Sequence, residues 1–551
     1  MRRHYEKILK DSDMRVKRSF SIQIMDPSDT DNYGGFRDAE SLVEAKYAIY
    51  RVTTMIACFY NNDSKWFQDS AVYERILLGL NYIKRSQREN GFFDLINCNF
   101  YSAPDTAFCI KRLLPTYHYL INCNTKENDE KRNELIALLR DIIIHGANAM
   151  VNGGFHTPNH RWAIVSTLLL CYRLFGNEDY QIGANKYLIE GIDCNEDGEF
   201  AERSAGNYNR INNDAMIIIA IATKDDSYLD YAIRNLNMML TYIEPDGSIF
   251  TNNSTRQDRG KKVYPKDYYF EYLYLGKKLQ NNTFLDAANY IMEIVEEKNL
   301  TAMDCLIQFM IQPEFIDFEH SSSGIPSTYH KHYRESDIVR CRNKEFSYSI
   351  INHSPSFLYF QHGDLTVSLK IGASFCEHRS FVSQSLQKKE DGYHLWEEMV
   401  GWYYLPFESP QETTDWWKMD HEKREKLLGP NMNFDITITE IEDGLAIHLK
   451  TTGIDRAPLR LELAFDQGVR IENDHFITEG TPLGGIVARD GYITASKGNY
   501  AIEVGPAFGA HNFVTGKFGS EGRNPHCYTV YFTDYTCFDH TITLKAKPSN
   551  Y

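Results

Sequence analysis

Apolar residues recur at three-and-four spacing through runs 71–85, 131–149, 162–175, 214–222, 227–243 and 283–298. That is the period of an amphipathic helix, and between about residues 40 and 312 no strand pattern interrupts it. After about residue 325 the period changes to two, over 346–351, 365–370, 435–439, 446–450 and 541–544. Turn signals such as Glu442-Asp443-Gly444 and Arg489-Asp490-Gly491 separate these runs, and no amphipathic helix of useful length lies between them. The stretch 408–428, acidic and Trp-bearing, reads as an excursion with at most a helical turn or two. The small-residue segment Ser321-Ser322-Ser323-Gly324-Ile325-Pro326 marks the boundary. The expectation is an α+β multidomain chain, with helical hairpins over 1–325 and an antiparallel β-sandwich over 326–551.

The helices are punctuated by a returning turn: Asn90-Gly91-Phe92-Phe93, Asn152-Gly153-Gly154-Phe155, Asp197-Gly198-Glu199-Phe200 and Asp246-Gly247-Ser248-Ile249-Phe250. Asn-Gly and Asp-Gly supply the positive φ of a tight turn, and the spacing suits one helical hairpin per repeat. If each repeat pairs an outer with an inner helix, the hairpins form an α/α toroid, and polar residues beyond each turn converge on one rim.

The chain has 551 residues with 75 acidic against 59 basic side chains, a net charge of −16 that would repel a phosphate backbone or an anionic membrane. Neither nucleic acid nor membrane is therefore an expected partner. The 36 Tyr and 31 Phe suit ligands with hydroxyls and apolar faces, as sugars have. The 11 Cys are scattered without a Cys-x-x-Cys pair, so free thiols are expected rather than a disulfide framework. The charged start Met1-Arg2-Arg3-His4-Tyr5-Glu6-Lys7 leads into no apolar run, and the expectation is a cytoplasmic protein without a secretory signal.

Candidate chemistry concentrates at two rim loops. Thr157-Pro158-Asn159-His160-Arg161-Trp162 opens an apolar helix with an amide, an imidazole and a guanidinium. Asn159 could neutralise an anionic substrate group, His160 could move a proton, and Arg161 could clamp a carboxylate. The plain alternative makes Asn159 the helix N-cap. In Glu202-Arg203-Ser204-Ala205-Gly206-Asn207-Tyr208-Asn209-Arg210, Tyr208 is a candidate acid or base beside Arg203 or Arg210, and Glu202 is a second titratable group. After the fourth turn, Arg256 and Arg259 could hold a carboxylate between them.

The order of helical repeats then strands, an Asn-His pair opening a helix, and an Asp-Gly-x-x-x-Glu-x-Ser-x-x-x-Tyr loop about 50 residues on resemble the α/α-toroid polysaccharide lyases of the heparinase II/III and alginate-lyase kind. The resemblance implies β-elimination on uronic-acid glycans. Asn159 would neutralise the uronate carboxylate, and His160 and Tyr208 would remove the acidic proton and protonate the leaving oxygen. A further His would come from the β half: His362, in Gln361-His362-Gly363-Asp364, with His378 as its rival. The β half lacks the family's repeated His-x-His, and the first half is poor in paired aromatics.

Hydrolysis of uronides, as by a β-glucuronidase, is the alternative, using two carboxylates from Glu202, Glu199, Asp214, Asp258 and Asp267. A sugar-binding protein without chemistry is a third reading. The partner expected in each case is a sugar, an acidic oligosaccharide or polysaccharide for the enzymes, and the oligomeric state stays open. No cofactor is required and no metal ligand is assigned. His353, His362, His378 and His394 lack the tight spacing of a zinc site, and any metal of the β half would be structural.

Overall fold

The computed structural model describes residues 1–123, 129–516 and 522–549. It divides into two compact units: Met1–Ile243 with Gly247–Ile325, and Glu244–Asp246 with Pro326–Tyr551. The first is helical and the second is built of strands, an α+β chain.

Among the described residues the first unit has twelve α-helices: α1 Arg2–Ile22, α2 Ala45–Tyr60, α3 Ser70–Ser86, α4 Ala103–Asn122, α5 Glu130–Met150, α6 Pro158–Phe175, α7 Glu178–Leu188, α8 Tyr208–Thr223, α9 Leu229–Leu240, α10 Tyr269–Leu279, α11 Asn282–Glu297 and α12 Leu306–Ile311. Helix starts follow local chemistry: Asp69, Ser102, Asp129, Asn177 and Asn281 each accept a backbone N–H of the first turn. Helices α2, α4, α6 and α8 pack successively on one another, each also packing on a helix of the set α3, α5, α7 and α9. Helix α10 packs on α11 and touches α8. Near the amino terminus, His4 Nδ1 lies 3.1 Å from the Tyr269 hydroxyl of α10, and α12 packs on α1, α2 and α4. No described helix is long and apolar enough to cross a membrane.

Two features depart from the expected pattern. Helix α1 lies within the expected helical domain but upstream of residue 40, where the helical period begins, in a segment too charged for its apolar stripe to stand out. A short hairpin, Phe93–Leu95 with Asn99–Ser102, interrupts the helices, three and four residues being too few to register as a period. Three of the four repeat turns have a left-handed glycine: Gly91, Gly198 and Gly247. At Gly198 a Cβ would lie 2.5 Å from the Arg234 carbonyl carbon and oxygen of α9, so the turn both needs the conformation and abuts that helix. Gly153 departs from the set. Its φ is not left-handed, and it is kept small by Ala103, whose Cβ would lie 2.2 Å from an added Cβ.

In the second unit, one sheet runs Gly485–Val487, Tyr528–Tyr535, Pro458–Phe465, Leu365–Phe375, Ser356–His362, Phe346–Ile351, Ile338–Asn343 and Thr328–Tyr333, with His378–Ser380 pairing to Leu365–Phe375. The other runs Phe476–Glu479, Arg470–Asn473, Ile493–Lys497, Tyr500–Gly505, Asp539–Pro548, Gly444–Gly453, Lys426–Ile441, Gly392–Tyr404 and Ser385–Lys389. Among the described residues these strands pair antiparallel except Gly485–Val487 with Tyr528–Tyr535, to which Gly509 also adds an isolated parallel bridge at Thr533. Alternating side chains of both sheets enter one hydrophobic cluster, including Phe360, Leu369, Phe434, Ile447 and Val530. The excursion contains short 3₁₀ turns at Trp416–Lys418 and His421–Lys423. Arg340, fully buried, is neutralised by Glu244 at 3.0 Å within this same unit.

Candidate active site

The turns in question connect α3 to α4, α5 to α6, α7 to α8 and α9 to α10. The candidate residues stand in the first turn of α6, in the loop before α8 and at its first residue, and in the segment before α10.

Asn159 is the second residue of α6; the N-cap is Thr157, not Asn159, and Thr157 Oγ1 accepts from Asn159 Nδ2 at 3.1 Å. Pro158 opens the helix where its missing N–H costs nothing. That leaves the Asn159 side chain to point elsewhere. It is fully buried, and Nδ2 donates to both carboxylate oxygens of Glu202, at 2.9 and 2.8 Å, while the Asn159 backbone N–H donates to Oε2 at 3.2 Å. Glu202 is only 3% exposed, and burial raises its pKa, with the Asn159 hydrogen bonds and Arg256 opposing. Arg256 Nε stands 3.4 Å from Glu202 Oε1, with the arginine side chain 32% exposed.

The same guanidinium lies 5.3 Å from the centroid of the Tyr208 ring. Tyr208, half-buried at the start of α8, accepts a hydrogen bond on its hydroxyl from Gln257 Nε2 at 2.5 Å. Its loop is fixed by Asp258, which accepts from Ser204 Oγ, Ser254 Oγ and the Gly206 N–H at 2.9, 2.6 and 2.9 Å. Thr255 Oγ1 donates to the Glu202 carbonyl at 2.8 Å and joins the two loops. Asn159, Glu202, Arg256, Tyr208 and Gln257 thus form one connected group.

His160 stands beside it. Its Nδ1 accepts weakly from the His156 N–H at 3.4 Å, and its ring meets the edge of Phe108, which carries the Lys46 ammonium over its face at 4.9 Å. Lys46 pairs with Asp105 at 3.2 Å. Burial pulls the His160 pKa down to about 4, with Asp105 opposing and Lys46 and Arg256 acting in the same direction as burial. The ring is therefore neutral at pH 7 and can accept a proton.

Other expected residues have other partners. Arg161, expected to clamp a substrate carboxylate, lies between Glu190 at 2.7 Å and Asp193 at 3.3 Å; Asp193 also accepts from Trp162 Nε1 at 2.5 Å. Arg203 pairs with the buried Glu199 at 3.4 Å, and Glu199 accepts from Asn253 Nδ2 at 2.8 Å. Arg259 is exposed. Within the second unit, His362 is buried, with Nδ1 2.9 Å from the Ala501 carbonyl and its ring against Tyr500. His378 lies 3.4 Å from the Val400 carbonyl. Gln257, Lys46, Asp105 and Phe108 are members of this neighbourhood that sequence reasoning did not single out. Asp105 did carry a signal, since Ser102-Ala103-Pro104-Asp105 opens α4 much as Thr157-Pro158-Asn159 opens α6.

The fold is similar to that of solved polysaccharide lyases. Across 98% of its length the chain is similar to a Paenibacillus xanthan lyase, with a TM-score of 0.57 at 10% identity, and it spans 57% of that lyase. It is similar over 99% of its length to a Streptomyces coelicolor chondroitin AC lyase solved with chondroitin sulphate, at TM-score 0.55 and 11% identity, covering 80% of that chain. Over 91% it is similar to a heparan sulfate lyase HepC from Pedobacter heparinus, at TM-score 0.50 and 8% identity, covering 76%. No protein-family model matches the chain, and no curated protein matches it by sequence.

Proposed function

We propose that this chain is a carbon–oxygen lyase that cleaves a uronic-acid-containing polysaccharide or oligosaccharide by β-elimination. In this reading the helical hairpins of the first unit close into an α/α toroid that carries the site, and the two sheets of the second form a β-sandwich. The successive packing of α2, α4, α6 and α8, with α1 meeting α10, supports the ring. The shared hydrophobic cluster supports the sandwich.

The observation that carries the reaction type is the commitment of the rim carboxylates. Hydrolysis requires two carboxyl groups free to act on either side of a glycosidic bond. Glu202 is held by Asn159 and Arg256, Glu199 by Asn253 and Arg203, Asp258 by two serines and a backbone N–H, Asp214 by Lys111 at 2.5 Å, and Asp267 stands in the field of Arg210, whose charge it favours. The groups left to handle protons are a neutral imidazole and a phenol. Elimination needs only these and a cation.

Arg256 would take the uronate carboxylate, making the adjacent C5 proton acidic. His160 would accept that proton, the C4–O bond would break as the C4–C5 double bond forms, and the Tyr208 hydroxyl would give its proton to the departing oxygen. Solvent then restores both groups. Asn159 becomes a positioning residue, holding Glu202 and through it Arg256, rather than the group that meets the substrate. No cofactor enters this scheme, and none of its steps uses a residue of the second unit.

The test is incubation with separate uronic-acid glycans, chondroitin sulphate, heparan sulfate, alginate and xanthan, followed by ultraviolet absorbance and reducing ends together. Elimination raises both, because each cleavage leaves a conjugated double bond. Reducing ends without absorbance would assign hydrolysis instead, and neither signal on any glycan would overturn the enzyme reading.

A further inference from the structure

In the second unit, three side chains of metal-ligating type converge. His330 and Cys341 are direct partners across the antiparallel strands Thr328–Tyr333 and Ile338–Asn343, so they rise from the same face. The next strand places Tyr348 opposite Cys341, extending the row. Glu440, at the end of Lys426–Ile441 in the other sheet, reaches the same place. A ring nitrogen of His330, Cys341 Sγ and a carboxylate oxygen of Glu440 all lie within 4.8 Å of one another.

We propose that His330, Cys341 and Glu440 bind one structural zinc ion, with water as the fourth ligand. The donor set selects the metal: calcium and magnesium take all-oxygen shells, whereas imidazole, thiolate and carboxylate together suit zinc. Ligand bonds of 2.0–2.3 Å in a tetrahedron put donor atoms about 3.4 Å apart, so the side chains close by about 1.4 Å at most. Cys341 is 2% exposed at the margin of the hydrophobic cluster, while His330 and Glu440 are exposed and leave a path for the ion.

The surrounding contacts orient all three ligands. Tyr348 donates to Glu440 Oε2 at 2.9 Å and is also hydrogen-bonded to Cys341. The Tyr393 hydroxyl lies 3.1 Å from His330 Nε2, and the two rings stack at 5.4 Å. Tyrosines on both sheets thus play the supporting part that outer partners play around metal ligands. A buried cysteine alone would be a small apolar side chain. Here it has an imidazole and a carboxylate within 4.8 Å, and they come from strands far apart in sequence. The ion would clip the edge strand of one sheet to a strand of the other, stabilising the unit through binding free energy.

The test uses the full chain, purified under non-chelating reductant, with zinc content measured by plasma emission. About one zinc per chain is expected, and after chelation a higher thermal midpoint on re-adding zinc. Cobalt substituted for zinc should give a near-ultraviolet thiolate-to-cobalt charge-transfer band that Cys341→Ser removes. His330→Ala, at an exposed position and therefore a tolerant one, should weaken zinc binding by about 100-fold or more, while His353→Ala leaves it unchanged. Cobalt binding without the thiolate band, equal zinc affinity in wild type and His330→Ala, or no zinc uptake would each overturn the proposal. If Cys341→Ser does not fold, the wild-type cobalt band and His330→Ala decide.

Discussion

Asn159 Nδ2 donates to both carboxylate oxygens of Glu202, at 2.9 and 2.8 Å, joining the first turn of α6 to the loop before α8. Both side chains are buried, Glu202 meets Arg256, and Arg256 overlies Tyr208. The geometry of the phenol and guanidinium thus depends on an amide that does not itself face substrate in the proposed scheme.

Removing that amide tests the dependence. Asn159→Ala leaves a buried carboxylate without its side-chain donor, a loss of about 1–3 kcal/mol in stability. Turnover should fall together with stability, because Arg256 loses its fixed partner. Urea unfolding and kinetics on an active glycan measure the two. A variant as stable as wild type but about 10²-fold slower would return Asn159 to direct substrate contact, the scale of one preorganised donor.

The turn glycines make a paired stability prediction. Gly198 has φ +97 and abuts the Arg234 backbone, so Gly198→Ala should cost about 1–3 kcal/mol. Gly154, where an added Cβ meets nothing within 4 Å, should accept Ala within about 0.5 kcal/mol. Thermal unfolding of both variants checks the difference. Equal midpoints would mean that the Gly198 turn relaxes freely.

Periodicity made the helices and strands legible because one face of each is buried: α3, α5 and α11 lie within a residue of the runs 71–85, 131–149 and 283–298. Helix α1 escaped because its many charged residues mask its apolar stripe, and the short hairpin because three and four residues are too few to show a period. At the site, Asn159, Glu202, Tyr208 and Arg256 stood out as polar residues beside turns. Their pairing did not, since sequence shows that donors and a carboxylate share a rim without showing which donor the carboxylate meets. Arg161 illustrates this. It adjoins the site residues in sequence, yet Glu190 and Asp193 take its charge. Gln257 was silent because one amide among rim polar residues carries no distinguishing pattern.

His160 supplies a pH prediction with a definite sign. Its folded pKa, about 4, lies below the unfolded value near 6.5, so between those values the unfolded chain binds more protons. Its contribution is full above about pH 6.5, and stability is lost as pH falls from there toward about 4. Urea midpoints of wild type and His160→Gln across that window should converge at the acid end, other groups cancelling in the difference. A constant gap would mean that the ring is not desolvated in the folded chain.

The reaction type turns on Tyr208 against Glu202. If elimination is the chemistry, Tyr208→Phe removes the proton donor and nothing else, and kcat/KM should fall by about 10²–10⁴ with the fold intact. Glu202→Gln keeps the shape but withdraws the charge facing Arg256, so its effect should be indirect, about tenfold, through a less well placed guanidinium. Hydrolysis reverses the order, because a carboxylate is then indispensable and the phenol only orients. Both variants should be measured on the same glycan, with circular dichroism confirming the fold. A dead Glu202→Gln beside a working Tyr208→Phe would make the buried carboxylate the acting group, and its hydrogen bonds to Asn159 a means of tuning a general acid rather than of fixing an arginine.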